Sequence, residues 1–148
     1  EKELPIVRMA ARTLTAAADS DGLQQLADAD APDMLALAAL TEPGPFLSRT
    51  HRLGVFWGIK ENGRLLAMAG ERLRPEGFTE VSGVCTHPDA RGRGLARKLS
   101  AWVALRIAAR GETPFLHSLA TNTNAVRLYQ SLGFTLSHEV TAVVLRAA

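Results

Sequence analysis

The sequence predicts an α/β fold built on a sheet of mixed direction. Asn62-Gly63 joins two apolar runs as a tight hairpin, the strongest short-range strand signal in the chain. Helical periodicity marks other stretches, around 33–40, 95–103 and 125–132. The two kinds of stretch interleave instead of segregating, in the order strand, helix, three antiparallel strands, helix, strand, helix, strand. A length of 148 residues suits one domain with a sizeable core.

In chain order, Leu4 to Ala10 reads as a strand start, with Pro5 tolerated at a first position or an edge. Residues 15–22 read as a linker, and a short strand, Leu23 to Leu26, follows. Asp30 or Asp33 then caps a helix whose first turn accommodates Pro32; Glu42-Pro43-Gly44-Pro45 stops it. A short helical piece is expected around Phe46 to His51. Strands at 55–60 and 64–73 flank the Asn-Gly turn, and Phe78 to Thr86 forms a third antiparallel strand after the turn at Pro75-Glu76-Gly77. The next helix runs from about Gly94 to Arg110, with Leu95, Leu99, Trp102 and Val103 on one face and Gly111 as its stop. A short buried strand spans Pro114 to Leu119. Residues 123–132 place Ala125, Leu128, Tyr129 and Leu132 on one helical stripe closed by Gly133, and Phe134 to Leu145 returns to strand.

Composition narrows the partners. The longest apolar runs are only a few residues, so no membrane span is expected. No signal peptide is visible, and a single cysteine, Cys85, points to a reducing, cytoplasmic compartment without disulfides. The first residue is Glu1, not Met, so the chain is expected to be processed or to follow a preceding segment. The formal charge of +2 conceals an asymmetry: residues 1–50 hold eight acids against four bases, whereas residues 86–110 hold six bases against one acid. A local basic cluster on a nearly neutral chain suits a compact anion better than a long polyanion. Few aromatics lie near it to stack bases, which argues against nucleic acid. His51, His87, His117 and His138 show no metal-ligand spacing, so no metal is expected.

The chemistry concentrates in Val84-Cys85-Thr86-His87-Pro88-Asp89-Ala90-Arg91-Gly92-Arg93-Gly94-Leu95-Ala96, a strand running into a Gly-rich turn that opens a helix. Backbone N–H groups at a helix N-terminus attract anions, and glycines permit close approach. Neither a Walker loop nor the dinucleotide fingerprint fits the spacing. A second segment, Asn122-Thr123-Asn124-Ala125-Val126-Arg127-Leu128-Tyr129-Gln130-Ser131-Leu132-Gly133-Phe134, follows the strand at Leu116. Together with Arg91-x-x-Gly94-x-Ala96, it closely resembles the GNAT superfamily of acyl-CoA-dependent N-acyltransferases. The resemblance extends over roughly residues 21–148, as a single domain, and leaves residues 1–20 as an extra N-terminal strand and linker.

That resemblance implies a mostly antiparallel central sheet with a splayed strand pair and helices on both faces. It implies acetyl-CoA as co-substrate, with the pantetheine arm pairing along the backbone of Val84, Cys85 and Thr86, and the Val84 N–H polarising the thioester carbonyl. The loop Arg91, Gly92, Arg93, Gly94, Leu95 and Ala96 is expected to cradle the pyrophosphate. Asn122 and Asn124 would hold the pantetheine, and Tyr129 would protonate the departing thiolate. The acceptor is expected to be a primary amine of a small molecule, amino acid or peptide. Its base is either Glu80, eleven residues before Arg91, or His117, five residues before Asn122. A period of two would place Glu80 on one face with Ser82 and Val84. Glu71 is a further candidate for the acceptor pocket. Cys85 is read as buried filler, since direct transfer needs no thiol nucleophile.

Only fourteen residues follow Phe134, where the superfamily usually has two strands and a walling loop. Residues 135–145 form either two short strands around a bulge or one long one, so the acceptor site is expected to be open or completed by another subunit, as in a homodimer. The extra strand at Leu4 to Met9 is expected to pair with the sheet. A non-catalytic acyl-CoA-binding regulatory module remains the alternative function.

Overall fold

The computed structural model describes residues 2–15 and 18–145. Its strands are β1 (Lys2–Ala10), β2 (Gln24–Gln25), β3 (Phe56–Glu61), β4 (Arg64–Glu71), β5 (Phe78–Thr86), β6 (Thr113–Leu119) and β7 (Thr135–Val144), and its helices are α1 (Ala31–Thr41), α2 (Leu95–Ala109) and α3 (Thr123–Leu132). Single 3-10 turns occur at Asp28–Asp30, Thr50–Arg52 and Pro88–Ala90. The expected helical piece near Phe46 is thus only the turn at Thr50–Arg52. Residues 16 and 17 of the expected linker lie outside the described residues.

Local chemistry sets the element ends. Asn62 (φ 53°) and Gly63 (φ 73°) both adopt the left-handed conformation that a two-residue hairpin requires. Helix α1 ends where Glu42 turns left-handed (φ 51°) ahead of Pro43. Its N-terminus departs from the simple capping expected: Asp30 makes no side-chain cap bond to α1, and its carboxylate instead accepts from the Ala27 N–H (2.8 Å) and from Lys60.

The strands form one seven-stranded sheet in the order β2-β3-β4-β5-β6-β1-β7, and only the β5–β6 pair is parallel. The N-terminal strand β1 is inserted between β6 and β7 and pairs antiparallel with both. Its alternation explains why it stays there. Val7 and Met9 are buried among α2, α3 and the sheet, whereas Leu4, Ile6 and Arg8 point to the opposite face. The last strand is a single long one with a register shift opposite Arg8/Met9, where Ser137 is the extra residue.

Two apolar clusters sandwich the sheet. Helices α2 and α3 pack on one face around Leu99, Ile107, Leu132 and Phe134. Helix α1 packs on the other around Met34, Leu37, Phe56 and Met68. Helices therefore cover both faces, but α1 lies mainly over β4 and β5, toward the β3 side of its face and away from β6, β1 and β7. Among the described residues no helix is long and apolar enough to cross a membrane.

Candidate active site

The site begins where β5 and β6 part. Their parallel pairing extends only from Phe78–Thr113 to Glu80–Phe115, after which β6 pairs with β1 alone. At the same point β5 carries a bulge opposite β4: Met68 pairs with Cys85 but Gly70 pairs with Ser82, leaving one extra residue on β5. Gly83 sits in it at φ +66°, a conformation costly for any residue with a Cβ, and an added Cβ would meet the Phe56 ring at 2.9 Å. The splay and bulge open a cavity of about 940 Å³ reaching from the α2 N-terminus to β1 and β7.

The bulge corrects one expectation. Glu80 shares a face with Ser82 and Cys85, but Val84 turns to the opposite face and packs on the α2 side. Strand periodicity fails here because the extra residue shifts the alternation by one.

One end of the cavity is the turn before α2. Gly94 is the N-cap of α2 in left-handed conformation (φ +74°), with no side-chain cap, and no acid lies in the first turn. The first-turn amides of a helix have no partner within it. An added Cβ at Gly92 or Gly94 would meet nothing within 4 Å, so the space above the loop is open. An anionic diphosphate therefore fits this turn, both in space and in unpaired donors. Arg91, Gly92, Leu95 and Ala96 line the cavity as well. The Arg93 guanidinium is engaged with Glu61 (Nη1–Oε2 3.1 Å). By contrast, α3 is capped by Asn122, whose Oδ1 accepts from the Ala125 N–H at 3.2 Å; Asn122 and Asn124 line the same cavity.

Midway, Tyr129 and Cys85 face each other. Tyr129 is 9% exposed, and its hydroxyl makes no hydrogen bond among the described residues. Burial, then the neighbouring Cys85, pushes its pKa up to about 12, so it holds its proton at neutral pH. Burial likewise pushes the Cys85 thiol up to about 11, which removes its nucleophilic character.

The far end holds a polar chain that no motif announced. Glu80 is 1% exposed; Arg72, its cross-strand neighbour, donates from Nε to Oε1 (2.6 Å) and from Nη2 to Oε2 (3.1 Å). His117 Nδ1 lies 2.5 Å from the same Oε2, and Arg8 Nε donates to His117 Nε2 at 3.2 Å. An arginine can only donate, so Nε2 carries the lone pair and Nδ1 the proton given to Glu80. The two candidate bases are thus one hydrogen-bonded unit, and Glu80 is not on a solvated face. Arg72 and Arg8 were missed: neither belongs to a motif, and their approach needs the β4–β5 register and the insertion of β1. Glu71 does not line the cavity. It is buried on the other face and pairs with Arg110 (2.8 Å). Among the described residues no cluster of three metal-ligating side chains occurs.

A sheet splayed beside an uncapped, glycine-opened helix N-terminus, with an Asn-x-x-Ala-x-x-x-Tyr helix across the gap, defines a GNAT domain. The family model described as FR47-like protein matches residues 56–143, and the chain belongs to that family of GNAT acetyltransferase relatives. A GNAT-family acetyltransferase structure from Novosphingobium aromaticivorans DSM 12444 is 50% identical, with TM-score 0.91, over 95% of this chain and 63% of that one. Mycothiol acetyltransferase of Mycobacterium avium (strain 104) is 40% identical over 83 residues, 49% of this chain but 26% of that protein. The ribosomal-protein-S18-alanine N-acetyltransferase of Escherichia coli shares the fold at 23% identity, with TM-score 0.69 over 78% of each chain. The chain thus spans about a quarter of the curated relative's length and under two thirds of the Novosphingobium chain.

Proposed function

We propose that this chain transfers an acetyl group from acetyl-CoA directly to a primary amine. The observation that carries the reading is the single cavity that joins the uncapped α2 turn, the β5 bulge, Tyr129 and Glu80. In it the loop from Arg91 to Ala96 binds the pyrophosphate through backbone amides, while Asn122 and Asn124 hold the pantetheine beside the open edge of Val84, Cys85 and Thr86. Acetyl-CoA supplies an activated thioester there. The Val84 N–H stabilises charge building on the thioester oxygen as the acceptor nitrogen bonds to the carbonyl carbon and the C–S bond breaks. Tyr129 gives its proton to the departing sulfur. Glu80, aimed by Arg72 and His117, takes the proton from the acceptor nitrogen, directly or through one water, with a lone pair left on Oε1.

The test is a thermal melt with and without acetyl-CoA, followed by turnover on a panel of amines, amino acids and peptides. Acetyl-CoA is expected to raise Tm of the wild type. Gly94→Glu places a carboxylate over the open turn and is expected to abolish the rise measured against its own apo Tm, whereas Gly94→Ala keeps the backbone strain and retains most of it. An unaltered rise in Gly94→Glu puts the nucleotide elsewhere. Binding with no turnover on any amine supports the regulatory alternative.

A further inference from the structure

Both ring nitrogens of His117 are committed. Nδ1 lies 2.5 Å from Glu80 Oε2, and Nε2 accepts from Arg8 Nε at 3.2 Å. His117 and Glu80 line the cavity, whereas Arg8 meets the ring at the nitrogen away from Glu80 and is not part of the cavity wall. Register sets its place, because β1 puts Arg8 directly opposite His117 on β6 and His138 on β7. Both cross-strand neighbours are histidines, so neither offers a carboxylate to compete for the guanidinium. On the β7 side Ser137, the extra residue of the bulge, donates from Oγ to the Arg8 carbonyl at 3.1 Å. A ring with its only proton on Nε2 would turn the Nδ1 lone pair on Glu80 Oε2, at a distance that suits only a charge-assisted hydrogen bond. A guanidinium has no acceptor to offer, so Arg8 excludes a proton on Nε2.

We infer that Arg8 is a positioning residue for the transfer proposed above. By occupying Nε2 it fixes the His117 proton on Nδ1, and that N–H, together with Arg72, holds the Glu80 carboxylate in one geometry. The ring then has no lone pair left for an acceptor proton, which assigns the base to Glu80 over His117. The inference rests on the acetyltransferase reading with Glu80 as its base. It gives the inserted strand β1 a part in the chemistry through a side chain that never touches the reacting atoms.

The first readout needs no substrate. ¹⁵N spectra of the His117 ring in the full chain are expected to show Nδ1 protonated and Nε2 bare in the wild type. Arg8→Met cannot donate and is expected to let a proton onto Nε2, whereas Arg8→Lys, a donor only, keeps Nε2 bare. The second readout is turnover on whichever amine of the panel reacts. Arg8→Met is expected to lower kcat about tenfold, no more than loss of His117 itself, with KM for acetyl-CoA unchanged, and Arg8→Lys to recover most of it. Added to His117→Ala, Arg8→Met is expected to cost nothing further, because the ring through which it acts is gone. A protonated Nε2 in the wild type, a bare Nε2 in Arg8→Met, or losses that multiply in the double variant each overturn the inference. Full turnover in Glu80→Gln overturns the base assignment instead, and no turnover on any amine overturns the acetyltransferase reading. The ring spectra separate these cases, since they report on Arg8 and His117 in the free protein.

Discussion

At the scale of single residues the groups proposed to move protons, Glu80 and Tyr129, differ from the groups that hold Glu80 in place, Arg72 and His117. Glu80 receives three hydrogen bonds from Arg72 and His117, so Glu80→Gln keeps its shape and loses the charge that organises the chain. We expect turnover to fall about 10²-fold at neutral pH and less at high pH, where free amine is abundant. His117→Ala should cost less, about tenfold, because Arg72 still aims the carboxylate. A larger loss in the histidine variant at every pH would exchange the two roles. Tyr129→Phe should lower turnover about 10²-fold with CoA affinity nearly unchanged, which calorimetry and steady-state kinetics check together. The same buried hydroxyl and the Cys85 thiol set an alkaline limit. Their pKa values rise from 10.0 to about 12 and from 9.0 to about 11 on folding. Above pH 9 the unfolded chain sheds protons that the folded chain keeps, so stability falls from pH 9 to 12, on the order of 2–3 kcal/mol for each group. Denaturant melts of Cys85→Ala and Tyr129→Phe should each flatten their own part of that decline.

At the scale of elements the bulge in β5 determines the site. It ends regular pairing with β4, re-aims Val84 and coincides with the divergence from β6. Gly83→Ala puts a Cβ at φ +66° against the Phe56 ring. We expect a loss of about 1–3 kcal/mol in unfolding free energy, with a weaker acetyl-CoA shift in Tm than at any surface glycine. A variant as stable as wild type would mean that the bulge relaxes without strain. Helix α2 is the complementary case. Its fifteen residues present Leu99, Val103 and Ile107 to the sheet, and that packing holds its uncapped N-terminus at the mouth of the cavity.

At the scale of the whole molecule the sheet depends on the position of β1. Residues 2–10 form an interior strand that links β6 to β7, so β7 is attached to the sheet only through β1. Met9 is fully buried there. Met9→Ala is expected to cost about 2–5 kcal/mol, read by a denaturant melt. A cost under 1 kcal/mol would show that β1 is peripheral to the stability of the sheet. The slot between β6 and β7 is filled by β1.

Much of this was legible in the residues. The Asn62-Gly63 turn, the helical stripe at Ala125, Leu128, Tyr129 and Leu132, and the Arg-Gly loop before Leu95 each specify their element locally, through dihedral preference or periodicity, so their elements sit within a few residues of where they were expected. Their order also carried the family. What tertiary structure alone decided was every relation across strands: the insertion of β1, the bulge that sends Val84 away from Glu80, the turn of Glu71 to Arg110, and the chain from Arg72 through Glu80 and His117 to Arg8. These depend on register between segments far apart in the chain, as where Lys2 lies opposite Val144. A one-residue shift reverses the face of every later side chain in a strand, and no local preference in the sequence encodes that shift.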